Sequence, residues 1–123
     1  MPPVRLLIVD DHADVRFLIR TIVEDSGMDV QVVGEADGVA AALAGLAAHA
    51  PDVVVLDARM PVVDGFEAAR LLLERRPALP ILLCSAWVDD SVRLEAEQAG
   101  IAQVLSKDEF EAIPAAVVRL AGR

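Results

Sequence analysis

Asp10 and Asp11 follow the apolar run Val4-Arg5-Leu6-Leu7-Ile8-Val9, and Asp57 follows Val53-Val54-Val55-Leu56. Ser85 closes Ile81-Leu82-Leu83-Cys84, and Lys107 closes Val104-Leu105-Ser106. Three carboxylates, a hydroxyl and an ammonium are the parts of a divalent-cation and phosphoryl site. Hard oxygen ligands suit Mg2+, which takes one or two carboxylates and keeps several waters. Asp11 and Asp57 are the expected ligands, with Asp10 behind them holding a water. Such an ion would offset the charge of an incoming phosphoryl group, leaving one carboxylate to attack phosphorus and form an acyl phosphate. Lys107 would meet the phosphoryl oxygens as a point charge, and the Ser85 hydroxyl would bond another of them. Little else is required, because phosphoryl transfer depends mainly on positioning and electrostatics.

Each residue also has a plainer reading. An Asp-Asp pair after a strand is often a helix N-cap. Asp57 could be a loop carboxylate, Ser85 a turn residue and Lys107 a solvated charge. Their joint placement decides. If the four runs are parallel strands of one sheet, all four endpoints lie along its carboxyl edge, where open α/β sheets bind ligands. His12, next to Asp11, suggests a metal ligand, but no second histidine stands nearby, and His49 lies in an Ala-rich helical segment.

The segments between these runs supply the elements that must position them. Val15, Leu18, Ile19, Ile22 and Val23 share one helix face, and Ser26-Gly27 closes that helix. Val30 to Val33, flanked by Asp29 and Glu35, fits an edge strand. A second helix runs over Val39 to Ala48. A third carries Phe66, Ala69, Leu72 and Leu73 and is ended by Pro77. Asp89 or Asp90 caps a fourth helix bearing Val92, Ala96 and Ala99, with Gly100 past its end. Phe110, Ile113, Val117 and Leu120 form the stripe of the last helix. Pro114 would cost about 3 kcal/mol inside it, so this helix should start near Ile113 or bend there. Repeated units of apolar strand and amphipathic helix predict a doubly wound α/β fold. It has a five-stranded parallel sheet in the order 2-1-3-4-5, flavodoxin-like, with helices on both faces. That order sets Asp10-Asp11 opposite Asp57 across the switch-point crevice.

Composition narrows the function classes. A chain of 123 residues, 55% of them hydrophobic, is one folded domain rather than a disordered segment. No apolar stretch reaches the roughly 18 residues of a membrane span, and no signal peptide is visible. Twenty acidic against 11 basic residues give a net charge of −9, which disfavours nucleic-acid binding. The single cysteine, Cys84, sits in an apolar run and reads as a buried free thiol, which suits a cytoplasmic protein. The first strand lacks the Gly-rich loop of a dinucleotide site.

Val9-Asp10-Asp11-His12, Leu56-Asp57-Ala58-Arg59-Met60-Pro61 with Asp64-Gly65, Cys84-Ser85-Ala86 and Leu105-Ser106-Lys107 together resemble the receiver domain of bacterial two-component response regulators. The resemblance runs from Val4 to Leu120. It implies that Asp57 accepts a phosphoryl group from the phosphohistidine of a sensor histidine kinase or phosphotransfer protein. It further implies that Asp10 and Asp11 form an acidic pocket. Asp11, Asp57 and the backbone carbonyl of Arg59 hold Mg2+, and Ser85 and Lys107 sense the phosphoryl group. On this reading residues 1–123 are a single receiver domain without an output domain, and the chain is a switch with no independent substrate turnover. Its partners are the kinase and a downstream protein or missing output domain, with a homodimer left open. The face made by the fourth helix, fifth strand and fifth helix relays the signal, and Leu94 is its candidate contact.

Three features depart from the family pattern or qualify it. Lys107 is followed by Asp108 rather than proline, a variant resembling regulators with helix-turn-helix outputs. Val104 stands where the family has a switch aromatic, so some other element must report the phosphoryl group. The alternative is a receiver-like interaction module that works without phosphorylation. Arg59 and Trp87 are expected at the mouth of the crevice. Arg59 also occupies the position where a haloacid-dehalogenase-type phosphatase needs a second acid, which argues against that enzyme class.

Overall fold

A run of aliphatic residues with no polar alternation must be covered on both faces. In the computed structural model, which describes all 123 residues, β3 (Val53–Asp57) and β4 (Ile81–Ser85) are buried at every position. β1 (Val4–Val9) is buried at all but Arg5. With β2 (Val30–Ala36) and β5 (Gln103–Ser106) they form one parallel sheet in the order β2-β1-β3-β4-β5. The expected fold is therefore the observed one.

Alternation along the strands divides the core in two. Leu7, Val9, Leu56 and Leu83 face α2 (Val39–His49), α3 (Gly65–Arg75) and α4 (Asp90–Gln98). Leu6, Ile8, Val55 and Leu82 face α1 (Ala13–Asp25) and α5 (Ile113–Leu120). Cys84 belongs to the second cluster, where burial pushes its thiol pKa up to about 12 and keeps it inert.

Two segments differ from the sequence expectation. β2 continues past Val33 to Ala36, with a register shift opposite Leu6 and Leu7. Glu35 is tolerated there because β2 is the sheet edge, and its carboxylate pairs with Arg16 and Arg20 of α1 at 3.0 and 2.7 Å. Burial opposes ionisation of Glu35, but the bonds from Arg20 and Arg16 outweigh it and hold the pKa below the usual value. Phe110 belongs not to the last α-helix but to a 3-10 helix over Lys107–Ala112. Ser106 and Glu109 close a reciprocal capping box at the start of that helix. α5 then begins at Ile113, which puts Pro114 in its first turn, where the missing N–H costs nothing.

Register sets the site. Val9 pairs with Leu56, so Asp10 and Asp57 leave adjacent strands side by side. Asp57 pairs with Cys84 and Ser85 with Ser106, which brings Ser85 and Lys107 to the same edge. α3 starts directly against this edge. A Cβ on Gly65 would stand 2.2 Å from the Asp57 carbonyl oxygen and 2.7 Å from Cα of Ala58. Only glycine permits that approach, and its N–H donates to the Ala58 carbonyl at 3.0 Å. Gly65→Ala is expected to cost about 1–3 kcal/mol, read as a lowered midpoint in urea denaturation.

Candidate functional site

The first strand ends in a turn that orients both acids. Asp10 is 2% exposed, and its Oδ1 accepts the backbone N–H of His12 at 2.8 Å. Its backbone is held on both sides: the N–H donates to Ala36 at 3.0 Å, and the carbonyl accepts Nη1 of Arg16 at 2.7 Å. Neither aspartate caps α1. The N-cap is His12, which makes no side-chain cap bond, so the plain capping reading of the pair fails. Arg16 had no role in the sequence reading. Its long reach back from α1 to the end of β1 leaves no local pattern to find.

Asp57 is 1% exposed and ends β3. Its Oδ1 accepts the Arg59 backbone N–H at 3.3 Å and lies 2.9 Å from Nζ of Lys107. Its Oδ2 is buried and has no hydrogen-bond partner, and the same holds for Oδ1 of Asp11. One donor atom from each of Asp10, Asp11, His12 and Asp57 lies within 4.8 Å of the others. Two buried carboxylate oxygens with open lone pairs, on two residues of one cluster, fit an oxygen-liganded divalent cation.

Electrostatics follow from this crowding. Burial raises the Asp10 pKa; the His12 N–H opposes the shift, and the charge of Asp57 adds to it. Burial works against the charge of Lys107. Its hydrogen bond to Asp57 and the fields of Asp57 and Asp10 prevail and raise its pKa. Lys107 is the chain's only lysine, and it is aimed at Asp57 rather than solvent.

Ser85 is buried at the end of β4, but its hydroxyl is engaged elsewhere. It donates to the Trp87 carbonyl at 2.7 Å and accepts the Trp87 N–H at 3.3 Å. The Trp87 indole is 70% exposed, and its N–H donates to Asp89 at 2.8 Å. Asp89 is the N-cap of α4, accepting from Val92 at 2.9 Å. Its pKa is lowered chiefly by that backbone bond and then by the indole. Trp87 is thus tied to the start of α4 rather than packed into the core. Arg59 is exposed and, with Met60, Asp64, Phe66 and Glu95, lines a cleft of about 450 Å3. In the loop between β3 and α3, Val62 has a left-handed φ of 69°, a strained conformation for a β-branched residue.

The sequence pattern of the response regulator receiver domain matches residues 6–118. The chain belongs to that family. The signal receiver domain of NarL from Mycobacterium tuberculosis superposes with a TM-score of 0.89 at 38% identity, covering 99% of this chain and 98% of that one. DevR/DosR, a DNA-binding transcriptional activator of the same organism, is 42% identical over 107 residues, 85% of this chain and 48% of that protein. Chemotaxis protein CheY of Bacillus subtilis is 36% identical over 103 residues, 84% of each chain. A protein-glutamate methylesterase/protein-glutamine glutaminase of Bradyrhizobium diazoefficiens is 37% identical, with the match spanning 30% of its length. The chain thus spans 30% and 48% of the two longer relatives and most of CheY. What it shares with all of them is the receiver module.

A buried, crowded aspartate fixes a pH dependence. Because the folded-state pKa of Asp10 is raised, the folded protein holds that proton more tightly than the unfolded chain does. Stability therefore rises as pH falls through the folded pKa. Asp10→Asn removes the charge that is disfavoured at neutral pH. In metal-free buffer it is expected to raise the urea midpoint at pH 7, and the advantage should vanish as pH approaches the ordinary aspartate value of 3.8.

Proposed function

We propose that residues 1–123 act as one receiver module and that Asp57 is its phosphoacceptor, supplied by the phosphohistidine of a sensor histidine kinase or phosphotransfer protein. The observation that carries this reading is Oδ2 of Asp57, buried and unpartnered beside Lys107. Oδ2 attacks phosphorus while the bond from phosphorus to the donor imidazole nitrogen breaks, its electron pair leaving on that nitrogen. Asp57 becomes an acyl phosphate. Lys107, already bonded to Oδ1, offsets the added charge. When bound, Mg2+ held by Asp11, Asp57 and the Arg59 carbonyl, with Asp10 alongside, would supply further charge neutralisation at the phosphoryl group. The chain needs no substrate turnover of its own, and its −9 charge leaves DNA contacts to a linked or partner output.

Phosphorylation adds nearly two negative charges at the sheet edge. To bond a phosphoryl oxygen, the Ser85 hydroxyl must leave the Trp87 carbonyl. Trp87 is tied through Asp89 to the first turn of α4, so that departure loosens the start of the helix. This linkage stands in for the aromatic that Val104 replaces, and it passes the change to the α4–β5–α5 face. Leu94, 55% exposed on α4, presents an apolar contact there for a downstream protein, an output domain or a second copy. The module works in the cytoplasm, where the kinase's donor histidine is available; no helix is long and apolar enough to cross a membrane.

Val104 favours one competing reading, a module that binds its partner without phosphorylation. Partner binding that beryllofluoride leaves unchanged would support it.

Incubation with acetyl phosphate and Mg2+ is expected to add about 80 Da to the intact protein, and Asp57→Asn should abolish the gain. A spectrum without adduct under several donors overturns the phosphoacceptor assignment. Trp87→Phe removes the indole N–H bond that holds the resting loop. It should tighten the apparent affinity for beryllofluoride about fivefold, the equivalent of one hydrogen bond of about 1 kcal/mol, measured by calorimetry. Unchanged or weaker affinity would rule out the Trp87–Asp89 linkage.

A further inference from the structure

The sequence offers His12 no histidine partner, but the fold gives it other company. Its Nδ1 lies 3.1 Å from Oδ1 of Asp11 and 3.4 Å from Oδ1 of Asp10. The Asp11 oxygen accepts no hydrogen bond, and the contact is an ion pair only when the imidazole is protonated, so a neutral imidazole leaves both atoms free for a cation. The main chain at His12 is fixed at both ends. Its N–H donates to Asp10 at 2.8 Å, and its carbonyl accepts the Arg16 N–H at 3.1 Å as the first bond of α1. The helix start therefore fixes the backbone from which the imidazole projects beside the two aspartates, and neither ring nitrogen has another partner among the hydrogen bonds of the fold.

Adjacent ligands of an octahedral ion with bonds of about 2.1 Å stand about 3 Å apart. The spacing of Nδ1 to the two carboxylates matches that distance. The mutual spread of the four donor atoms, within 4.8 Å, suits ligands of one ion. An acidic cluster alone would not make a site. Here Asp57, 99% buried and a member of the cluster, carries a buried Oδ2 with no partner.

A nitrogen ligand changes which ion such a pocket favours. Mg2+ is hard, prefers oxygen and gains little from imidazole, whereas borderline first-row ions gain substantially. We propose that His12 joins Asp11 and Asp57 as an imidazole ligand, giving the pocket a preference over Mg2+ for first-row divalent ions, strongest for the borderline Co2+ and Zn2+ and smaller for the harder Mn2+, that its oxygens alone would not provide. This inference rests on the reading of the acidic pocket as a cation site and adds to it a ligand and a selectivity. Any oxygen site binds such ions somewhat more tightly than Mg2+, so the claim concerns the His12-dependent excess.

Calorimetric titration of the whole chain with Mg2+ and with Co2+ tests it, on wild type, His12→Ala and His49→Ala. His12 is largely exposed and makes no side-chain cap bond, so its removal leaves the helix start intact. His12→Ala is expected to weaken Co2+ at least tenfold and leave Mg2+ within twofold, while His49→Ala changes neither. Pulsed electron paramagnetic resonance of the Mn2+ complex should show a nitrogen coupling that disappears in His12→Ala. Normal Mg2+ binding with Co2+ affinity indifferent to His12→Ala overturns the His12 assignment and leaves the acidic-pocket reading standing. Equal weakening of both ions, or a Mn2+ complex without nitrogen coupling, overturns it too. Wild-type protein that binds neither ion overturns both readings.

Discussion

Two aspartates buried side by side, with a third at their shoulder, repel one another in a place where water cannot screen them. Asp10 and Asp57 are almost wholly enclosed, and Lys107 is the one lysine or arginine paired with the cluster. Such an arrangement is a standing cost to the fold, and the pKa of Asp10 is raised first by its burial and then by the charge of Asp57. On the proposed function it is also what makes the site reactive. A cation entering the pocket would relieve the repulsion, and a phosphoryl group arriving with that cation would find an oxygen that no protein donor has claimed.

Tolerating that cost requires a rigid surround. β1, β3 and β4 are packed on both faces by aliphatic side chains, so the backbone ends that carry the acids cannot splay apart. Arg16 reaches the Asp10 carbonyl, Gly65 brings α3 directly onto the carbonyl of Asp57, and the capping box of Ser106 and Glu109 fixes the chain on either side of Lys107. Each holds main chain rather than carboxylate. The carboxylates keep their free valences because their positions are set through the backbone.

The site is also asymmetric in a way that suits a switch. Lys107 already contacts Asp57, whereas the Ser85 hydroxyl is bonded to its own loop through Trp87. The ammonium is in place and the hydroxyl is held back by a short chain of hydrogen bonds ending at the cap of α4. The held-back group is coupled to a helix end, the part of a helix least tied by its own backbone bonds. On the proposed function, a small movement of one hydroxyl would therefore alter a much larger surface.

Most of this architecture was legible in the residues. The aliphatic runs predicted strands covered on both faces, their alternation with helical stripes predicted a doubly wound sheet, and Pro114 predicted the late start of α5. The ordered set from Asp10 to Lys107 was legible because each residue ends a strand, and parallel strands must end on the same edge. The extent of β2 was not, since Glu35 looks like a terminator until α1 places Arg16 and Arg20 beside it. Nor was the engagement of Ser85 with Trp87, which depends on how the following loop turns. His12 follows Asp10 and Asp11 in the sequence, but only the fold brings Asp57 into the same cluster. The sequence by itself determined which chemical groups arrive at the sheet edge, because strand ends follow from local pattern. Only the tertiary structure decided which of their atoms are paired and which are left open. That depends on how the loop after each strand turns back on its own acid or hydroxyl, and on Lys107 reaching Asp57 from a strand end distant in sequence; residue spacing encodes neither.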